Sequence, residues 1–212
     1  MDKNNETLQT WNKLAPMYKN KFMDLKLYND SYDLFCELIT KKNPNILEIG
    51  CGPANITKYL LSKRSDFSIL ATDYSPNMID VALTHNLNAT FKVMDCREIK
   101  TLEQKYEGII CGFCVPYLSE LEVLNLILDC YNLLSEKGIL YLSFVDNELE
   151  NTSEWKTTNE GNRVFFNYYT TTYIKELLIN NSFEICDKFE IEQQKPDKKI
   201  EKHIILVVNK NC

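Results

Sequence analysis

Apolar residues recur at helical spacing through the first forty positions. Trp11, Leu14, Ala15, Tyr18 and Phe22 predict a helix within residues 1–25. Tyr32, Leu34, Phe35, Leu38 and Ile39 predict a second over residues 29–41, stopped before Asn43-Pro44. The period then changes. Short apolar runs at Ile46–Ile49, Phe67–Thr72, Thr90–Met94, Tyr106–Cys111 and Gly138–Phe144 read as strands. Between them, Ala54–Lys63, Pro76–Thr84 and the strongly amphipathic Glu120–Leu134 read as helices. Strand and helix in alternation predict a mostly parallel sheet with both faces covered. After this the order changes: Val164–Tyr168 reads as a strand, and Thr171–Asn180 as a helix capped by Thr170 or Thr171. Phe183–Glu192 and His203–Asn209 read as two strands joined through a turn at Pro196-Asp197, which makes one sheet edge antiparallel.

The 212 residues suffice for one sizeable core, so a single domain is expected. Its parts are a helical lid or cap (1–42), a core (43–145), an insertion (146–170), and a C-terminal helix with an antiparallel strand pair (171–212). At 44% hydrophobic and 25% charged, the composition is that of a globular chain. No apolar run approaches the roughly 18 to 20 residues of a membrane span, and MDKNNETLQT has no apolar signal core. A cytoplasmic protein without a membrane partner is expected. The net charge of −6, with lysines scattered, disfavours a nucleic-acid partner, because phosphate binding needs a basic patch. The densest basic group, Lys195 to Lys202, is interleaved with Asp197 and Glu201 and reads as a solvated hairpin. The eight cysteines show no disulfide spacing. Cys111-Gly-Phe-Cys114 matches C-x-x-C but has no second pair to complete a zinc site, so no metal is expected.

The chemistry gathers at strand ends. Glu48-Ile49-Gly50-Cys51-Gly52-Pro53-Ala54-Asn55 turns a strand into a helix. Glycines there let the backbone turn tightly and approach a ligand closely, and the helix behind offers free N–H groups. A dinucleotide fingerprint would need a third glycine at Asn55. Glu48 is instead placed to meet a cationic amino group, directly or through water. A dehydrogenase cofactor has no such cation, whereas S-adenosylmethionine carries both an amino group and a sulfonium. Asp73, closing the second strand, can accept from both ribose hydroxyls, or can cap the helix that begins at Ser75-Pro76. Tyr74 and Met78 are placed to pack on an adenine face. Asp95 can accept from an adenine amine while the Cys96 N–H donates to the ring, or can cap the next segment. After the fourth strand, the carbonyls of Cys111 and Gly112 can hold an amino group. Phe113 and Tyr117 face the reacting end or belong to the core.

Four such motifs at four consecutive strand ends resemble the class I S-adenosylmethionine-dependent methyltransferases, in detail over residues 40–145. The resemblance implies a Rossmann-like three-layer α/β/α sandwich with a seven-stranded sheet of order 3-2-1-4-5-7-6, strand seven antiparallel. It implies S-adenosyl-L-methionine as cofactor and S-adenosyl-L-homocysteine as product. Trp11–Tyr18 resembles the lid helix of the small-molecule branch (methyltransferase domains of types 11 and 25), which implies that Tyr18 reaches the cofactor. Phe165–Thr170 and Asn181–Glu184 resemble that branch's segments after strand five. Ala54 stands where the common motif has glycine, and is expected to sit in the first helical turn. Pro116-Tyr117 stands where many relatives carry histidines. DNA and protein amide methylases carry an Asp/Asn-Pro-Pro-aromatic run that is absent here.

The reaction implied is in-line displacement of a methyl group by an O, N, S or C nucleophile of a small-molecule acceptor. Alignment and desolvation dominate such a step, and proximity alone is worth up to about 7–11 kcal/mol. Tyr117 is the candidate base, with His203 second; His85 reads as a helix-end residue. Trp155, Arg163, Phe165 and Tyr168 are candidate substrate linings, or else pack the lid. Two other readings are a non-catalytic S-adenosylmethionine-binding or scaffolding protein, and an NAD-dependent oxidoreductase, which the glycine spacing opposes.

Overall fold

The computed structural model describes residues 2–158, 161–194 and 200–211. The Pro196-Asp197 turn, Lys195 and the Phe22 side chain lie outside the described residues. Among the described residues nine strands form, in chain order: β1 (Asn45–Ile49), β2 (Ser68–Asp73), β3 (Ala89–Val93), β4 (Tyr106–Cys111), β5 (Leu134–Val145), β6 (Thr152–Thr157), β7 (Arg163–Tyr168), β8 (Phe183–Gln194) and β9 (Ile200–Lys210). The helices are α1 (Lys3–Phe22), α2 (Asn29–Leu38), α3 (Asn55–Lys63), α4 (Pro76–Leu83), α5 (Glu120–Leu133) and α6 (Thr171–Asn180).

Seven strands make one sheet in the order β3-β2-β1-β4-β5-β9-β8. β1 to β5 pair in parallel, and β9 runs antiparallel to both β5 and β8. With the separate β6–β7 hairpin set aside, β8 and β9 are the sixth and seventh strands, so this is the expected topology. Strand alternation divides the core between the two faces. Leu47, Ile49, Ile109, Leu140 and Leu142 pack with α5 and α6 through Val123, Ile127, Ile174 and Leu178. Ile46, Ile110, Tyr141, Ile205 and Val207 pack with α2 and α3 through Phe35, Ile56 and Leu60. No helix among the described residues is long and apolar enough to cross a membrane.

Two elements differ from the sequence pattern. β5 begins at Leu134 rather than Gly138, because the register jumps from Tyr106↔Leu134 to Gly108↔Ile139 and Lys137 takes φ 58°. β6 was not predicted at all: it reads Thr-Ser-Glu-Trp-Lys-Thr, is largely exposed on both faces and has no apolar alternation. Thr170, of the two candidates, caps α6 by accepting from the Tyr173 N–H at 3.1 Å. The sheet order reverses between β1 and β4, which opens a crevice at the C-terminal strand ends, where such sheets bind ligands.

Candidate active site

The crevice holds a cavity of about 450 Å³. The glycine loop forms one wall. Gly50 has φ 71°, and a Cβ there would lie 2.2 Å from the Cys114 sulfur, so only glycine fits. Gly52, φ 52°, borders the cavity with the Tyr18 ring as its nearest neighbour, at 3.8 Å from a Cβ position. The Cys51 N–H donates to the Thr72 carbonyl at 2.9 Å and stitches the loop to β2. Ala54 is not in the first helical turn as expected. It is the N-cap of α3, left-handed at φ 70° and completely buried. That conformation costs a non-glycine residue roughly 1–2 kcal/mol.

Glu48 also departs from expectation. It is fully buried and does not line the cavity. Its Oε2 accepts from the Thr57 hydroxyl at 2.5 Å, and Oε1 has no partner. Burial pushes its carboxyl up to about 8; the Thr57 hydrogen bond pulls the other way, and nearby Asp73 adds to the rise. Glu48 therefore pins α3 to β1 from behind the loop, and is mostly uncharged at neutral pH.

Asp73 lies on the cavity wall. Its Oδ2 accepts from the Gly52 N–H at 2.9 Å and its Oδ1 from the Ser75 N–H at 2.8 Å. The cap of α4 is Ser75, whose hydroxyl accepts from the Met78 N–H at 3.2 Å. Burial raises the Asp73 carboxyl, and the two backbone N–H groups oppose that rise. Tyr74, Met78, Asp95 and Cys96 border the same cavity. Asp95 does cap the short 3₁₀ turn Cys96–Thr101, accepting from the Arg97 N–H at 3.0 Å. It also pairs with the Arg97 guanidinium at 2.6 Å, and Arg97 reaches Glu122 at 3.1 Å. Arg97, whose guanidinium lies 5.6 Å from the Tyr74 ring centroid, is a cavity residue the motif reading missed. Cys111 is completely buried in the core, and the wall begins at Gly112. Among the described residues, no group of three or more His, Cys, Asp or Glu is placed to hold a metal.

Aromatic rings close the other side. Trp11 of α1 meets Tyr18 and Tyr117 edge to face at 5.4 and 5.7 Å, and Tyr117 meets Phe166 at 5.7 Å. Burial lifts the Tyr117 phenol well above its ordinary range. It stays protonated at neutral pH, which suits a hydrogen-bond donor and not the base it was expected to be. Phe113 follows Gly112 at φ 57°, a strained conformation held by its N–H donating to the Ser143 hydroxyl at 2.8 Å.

The hairpin turns three of its four expected linings outward. Phe166, Val164 and Lys156 border the cavity; Trp155, Arg163, Phe165 and Tyr168 do not. Period-2 alternation sets Arg163 and Phe165 on the face opposite Val164 and Phe166. There Arg163 stacks on Trp155, and Trp155 meets Phe165 at 5.3 Å. Arg163 also pairs with Glu6 of α1 at 2.7 Å. Tyr168 shares the inner face but sits one step beyond Phe166, bonded to Glu154 at 2.7 Å. His203, second in expectation, borders the cavity beside Tyr28, Phe113, Glu201 and Lys156. His85 does not line it.

Residues 46–138 match the methyltransferase domain family. The chain is 33% identical over 98 residues to the malonyl-[acyl-carrier protein] O-methyltransferase of Acetivibrio thermocellus, covering 45% of this chain and 34% of that one. It is 29% identical over 127 residues to tRNA N(3)-methylcytidine methyltransferase trm141 of Schizosaccharomyces pombe, covering 58% and 49%. The chain thus spans less than half the length of these curated relatives. Among solved structures, the fold matches the 1,6-didemethyltoxoflavin-N1-methyltransferase of Burkholderia thailandensis with a TM-score of 0.75. Identity there is 14%, over 98% of this chain and 88% of that one; that structure holds 1,6-didemethyltoxoflavin and S-adenosylhomocysteine. The sheet order, the strand-end motifs around one cavity and the methyltransferase-domain match over residues 46–138 make this chain similar to the class I S-adenosylmethionine-dependent methyltransferases.

Proposed function

We propose that the chain binds S-adenosylmethionine in the β1–β4 crevice and transfers its methyl group to a small-molecule acceptor. The observation that carries the reading is Asp73: a half-buried carboxylate held by two backbone N–H groups on the wall that Gly52 leaves open. Such a carboxylate fits a ribose diol, which brings two donors to two oxygens. Asp95 and Met78 fit an adenine, one through acceptor capacity left over from Arg97 and the other through an apolar face. Tyr18 and the Gly112 backbone fit the amino-acid end.

Bound S-adenosylmethionine supplies an activated methyl group on its sulfonium. The protein's own work is then to align and to exclude water. Trp11 and Tyr18 of α1 do the second together with Tyr117 and Phe166, forming an aromatic wall. A small acceptor is supported by that closed wall and by the net charge of −6. The 1,6-didemethyltoxoflavin bound in the structural likeness supports it too.

Calorimetry tests the reading. S-adenosylhomocysteine should bind and NAD should not. Asp73→Ala should weaken S-adenosylhomocysteine binding at least about tenfold, the loss expected for a charge-assisted hydrogen bond. Unchanged affinity removes the ribose role. Binding without methyl transfer to any phenol, heterocycle or carboxylate in a panel turns the reading into that of a cofactor-binding protein.

A further inference from the structure

Four titratable side chains from three parts of the chain meet on the wall next to Phe113. Tyr28 precedes α2, His203 and Glu201 lie on β9, and Lys156 lies on β6; all four border the cavity. The Tyr28 hydroxyl is 2.7 Å from His203 Nδ1. His203 Nε2 is 3.3 Å from Glu201 Oε2. Glu201 Oε1 is 2.8 Å from Lys156 Nζ, which in turn sits 3.6 Å from the Phe166 ring centroid. The cofactor reading uses none of these groups.

The partners select one arrangement of protons. Glu201, ionised beside Lys156, accepts the Nε2–H; the bare Nδ1 then accepts from the Tyr28 hydroxyl. Tyr28 keeps its oxygen lone pairs for a group in the cavity. Among the described residues, the titratable groups bonded to His203 are Tyr28 from the segment before α2, Glu201 on its own strand and, through Glu201, Lys156. Phe113, at 5.0 Å between ring centroids, faces it as a neutral ring. His203 itself is only 5% exposed, so an imidazolium formed there is compensated by Glu201 rather than by water.

We propose that Tyr28, His203 and Glu201 form a proton relay for the methyl acceptor, and that the acceptor is a planar aromatic compound methylated on a weakly acidic hydroxyl. The inference rests on the methyl-transfer reading above. The acceptor class follows from two features. The walls are aromatic, with Trp11, Phe113, Tyr117 and Phe166 around the space, which suits a flat ring. A relay ending in a histidine–carboxylate pair serves a group that must lose a proton to become nucleophilic; a carboxylate acceptor needs none.

The step balances. The O–CH₃ bond forms as the S–CH₃ bond breaks, and sulfur keeps the electron pair. The acceptor's hydroxyl proton passes to the Tyr28 oxygen, the Tyr28 proton passes to Nδ1, and the imidazolium is held against Glu201. Tyr28 is the group that meets the acceptor; His203 and Glu201 act through it.

The test uses the whole chain saturated with S-adenosylhomocysteine and titrated with 4-nitrophenol, whose phenolate is yellow. In the wild type, the bound phenol should ionise at a lower pH than the free compound. In Tyr28→Phe and His203→Gln the bound midpoint should rise by at least about one pH unit, a tenfold change in the ionisation constant. S-adenosylhomocysteine affinity should stay within about twofold in both, since neither residue serves the cofactor. Glu201→Gln should raise the midpoint as well, so poor folding of one variant does not hide the answer. The relay is overturned if the loaded wild type does not bind 4-nitrophenol, if the bound midpoint equals the free one, or if the variants leave it unmoved. Failure of the wild type to bind S-adenosylhomocysteine at all is a separate result, and sinks the methyl-transfer reading instead.

Discussion

Glu48 and Ala54 show how much the loop asks of single residues. The Glu48 carboxyl goes from an ordinary value of 4.5 to about 8 on folding, chiefly because burial disfavours its charge. A carboxyl whose folded value is raised binds more protons folded than unfolded, so stability falls as pH rises through that interval. Below 4.5 the group costs nothing; above 8 the whole penalty is present. Glu48→Gln keeps the shape and the Thr57 partner without the charge. Its Tm advantage over wild type should therefore grow steadily between pH 4.5 and 8 and then level off, as scanning calorimetry across pH would record. An advantage that is flat with pH would exclude a buried ionisation. Ala54→Gly removes a left-handed alanine, a relief of roughly 1–2 kcal/mol offset by about 0.5–1 kcal/mol of unfolded-chain entropy. A net gain of between zero and about 1.5 kcal/mol in urea unfolding is expected. Both residues sit in the most legible motif of the chain, yet their roles were misread. A motif gives the order of residue types; it does not say which side of the loop a carboxylate faces, nor that the fifth residue from Gly50 is where the left-handed turn falls.

The elements were legible wherever burial imposed a period. β1 and β4 are short, mostly apolar runs buried on both faces, and α5 carries its buried stripe at Val123, Leu126, Ile127 and Cys130, so pattern alone found them. β6 carries no such stripe because solvent lies on both of its faces, and its register comes wholly from pairing with β7. Missing β6 had a consequence at the site: without it, nothing assigned inner and outer faces to the insertion, and Trp155 and Arg163 were placed on the wrong one. Nor could the sequence bring together Tyr28, Lys156 and His203, which lie on three separate elements. The same hairpin anchors α1. The Thr10 hydroxyl donates to the Arg163 carbonyl at 2.6 Å, and the Thr7 hydroxyl accepts from the Phe165 N–H at 3.0 Å. Outside its Trp11, Leu14, Ala15 and Tyr18 face α1 is polar, and it has Pro16 inside it, so its order depends on tertiary contacts such as these. Thr7→Val with Thr10→Val preserves shape and removes two bonds worth about 1 kcal/mol each. Amide exchange across residues 3–22 should quicken by roughly tenfold or more while β1, β4 and β5 stay protected. Equal quickening in those strands would mean that α1 opens only with the whole fold.

At the scale of the molecule, the cavity joins three parts that are far apart in the chain: α1 with the hairpin, the glycine loop with the β2 and β3 ends, and β9 with the Tyr28 segment. A ligand that touches all three binds the folded state and has nothing to bind once they separate. Such a ligand stabilises by RT ln(1 + [L]/Kd), about 2.7 kcal/mol at a hundredfold excess over Kd. For a chain of 212 residues each kcal/mol is worth roughly 2–4 °C, so saturating S-adenosylhomocysteine should raise Tm by about 5–10 °C. Asp73→Asn tests where that energy enters. The amide keeps the size of the carboxylate, but it presents one acceptor oxygen in place of two, and so cannot serve Gly52, Ser75 and a diol together. The shift should then shrink to a degree or two at the same ligand concentration. His203→Gln, which alters the acceptor side alone, should keep it whole. If both variants lost the shift equally, the cavity would be one undivided site, and the separation between cofactor wall and relay wall would fail with it.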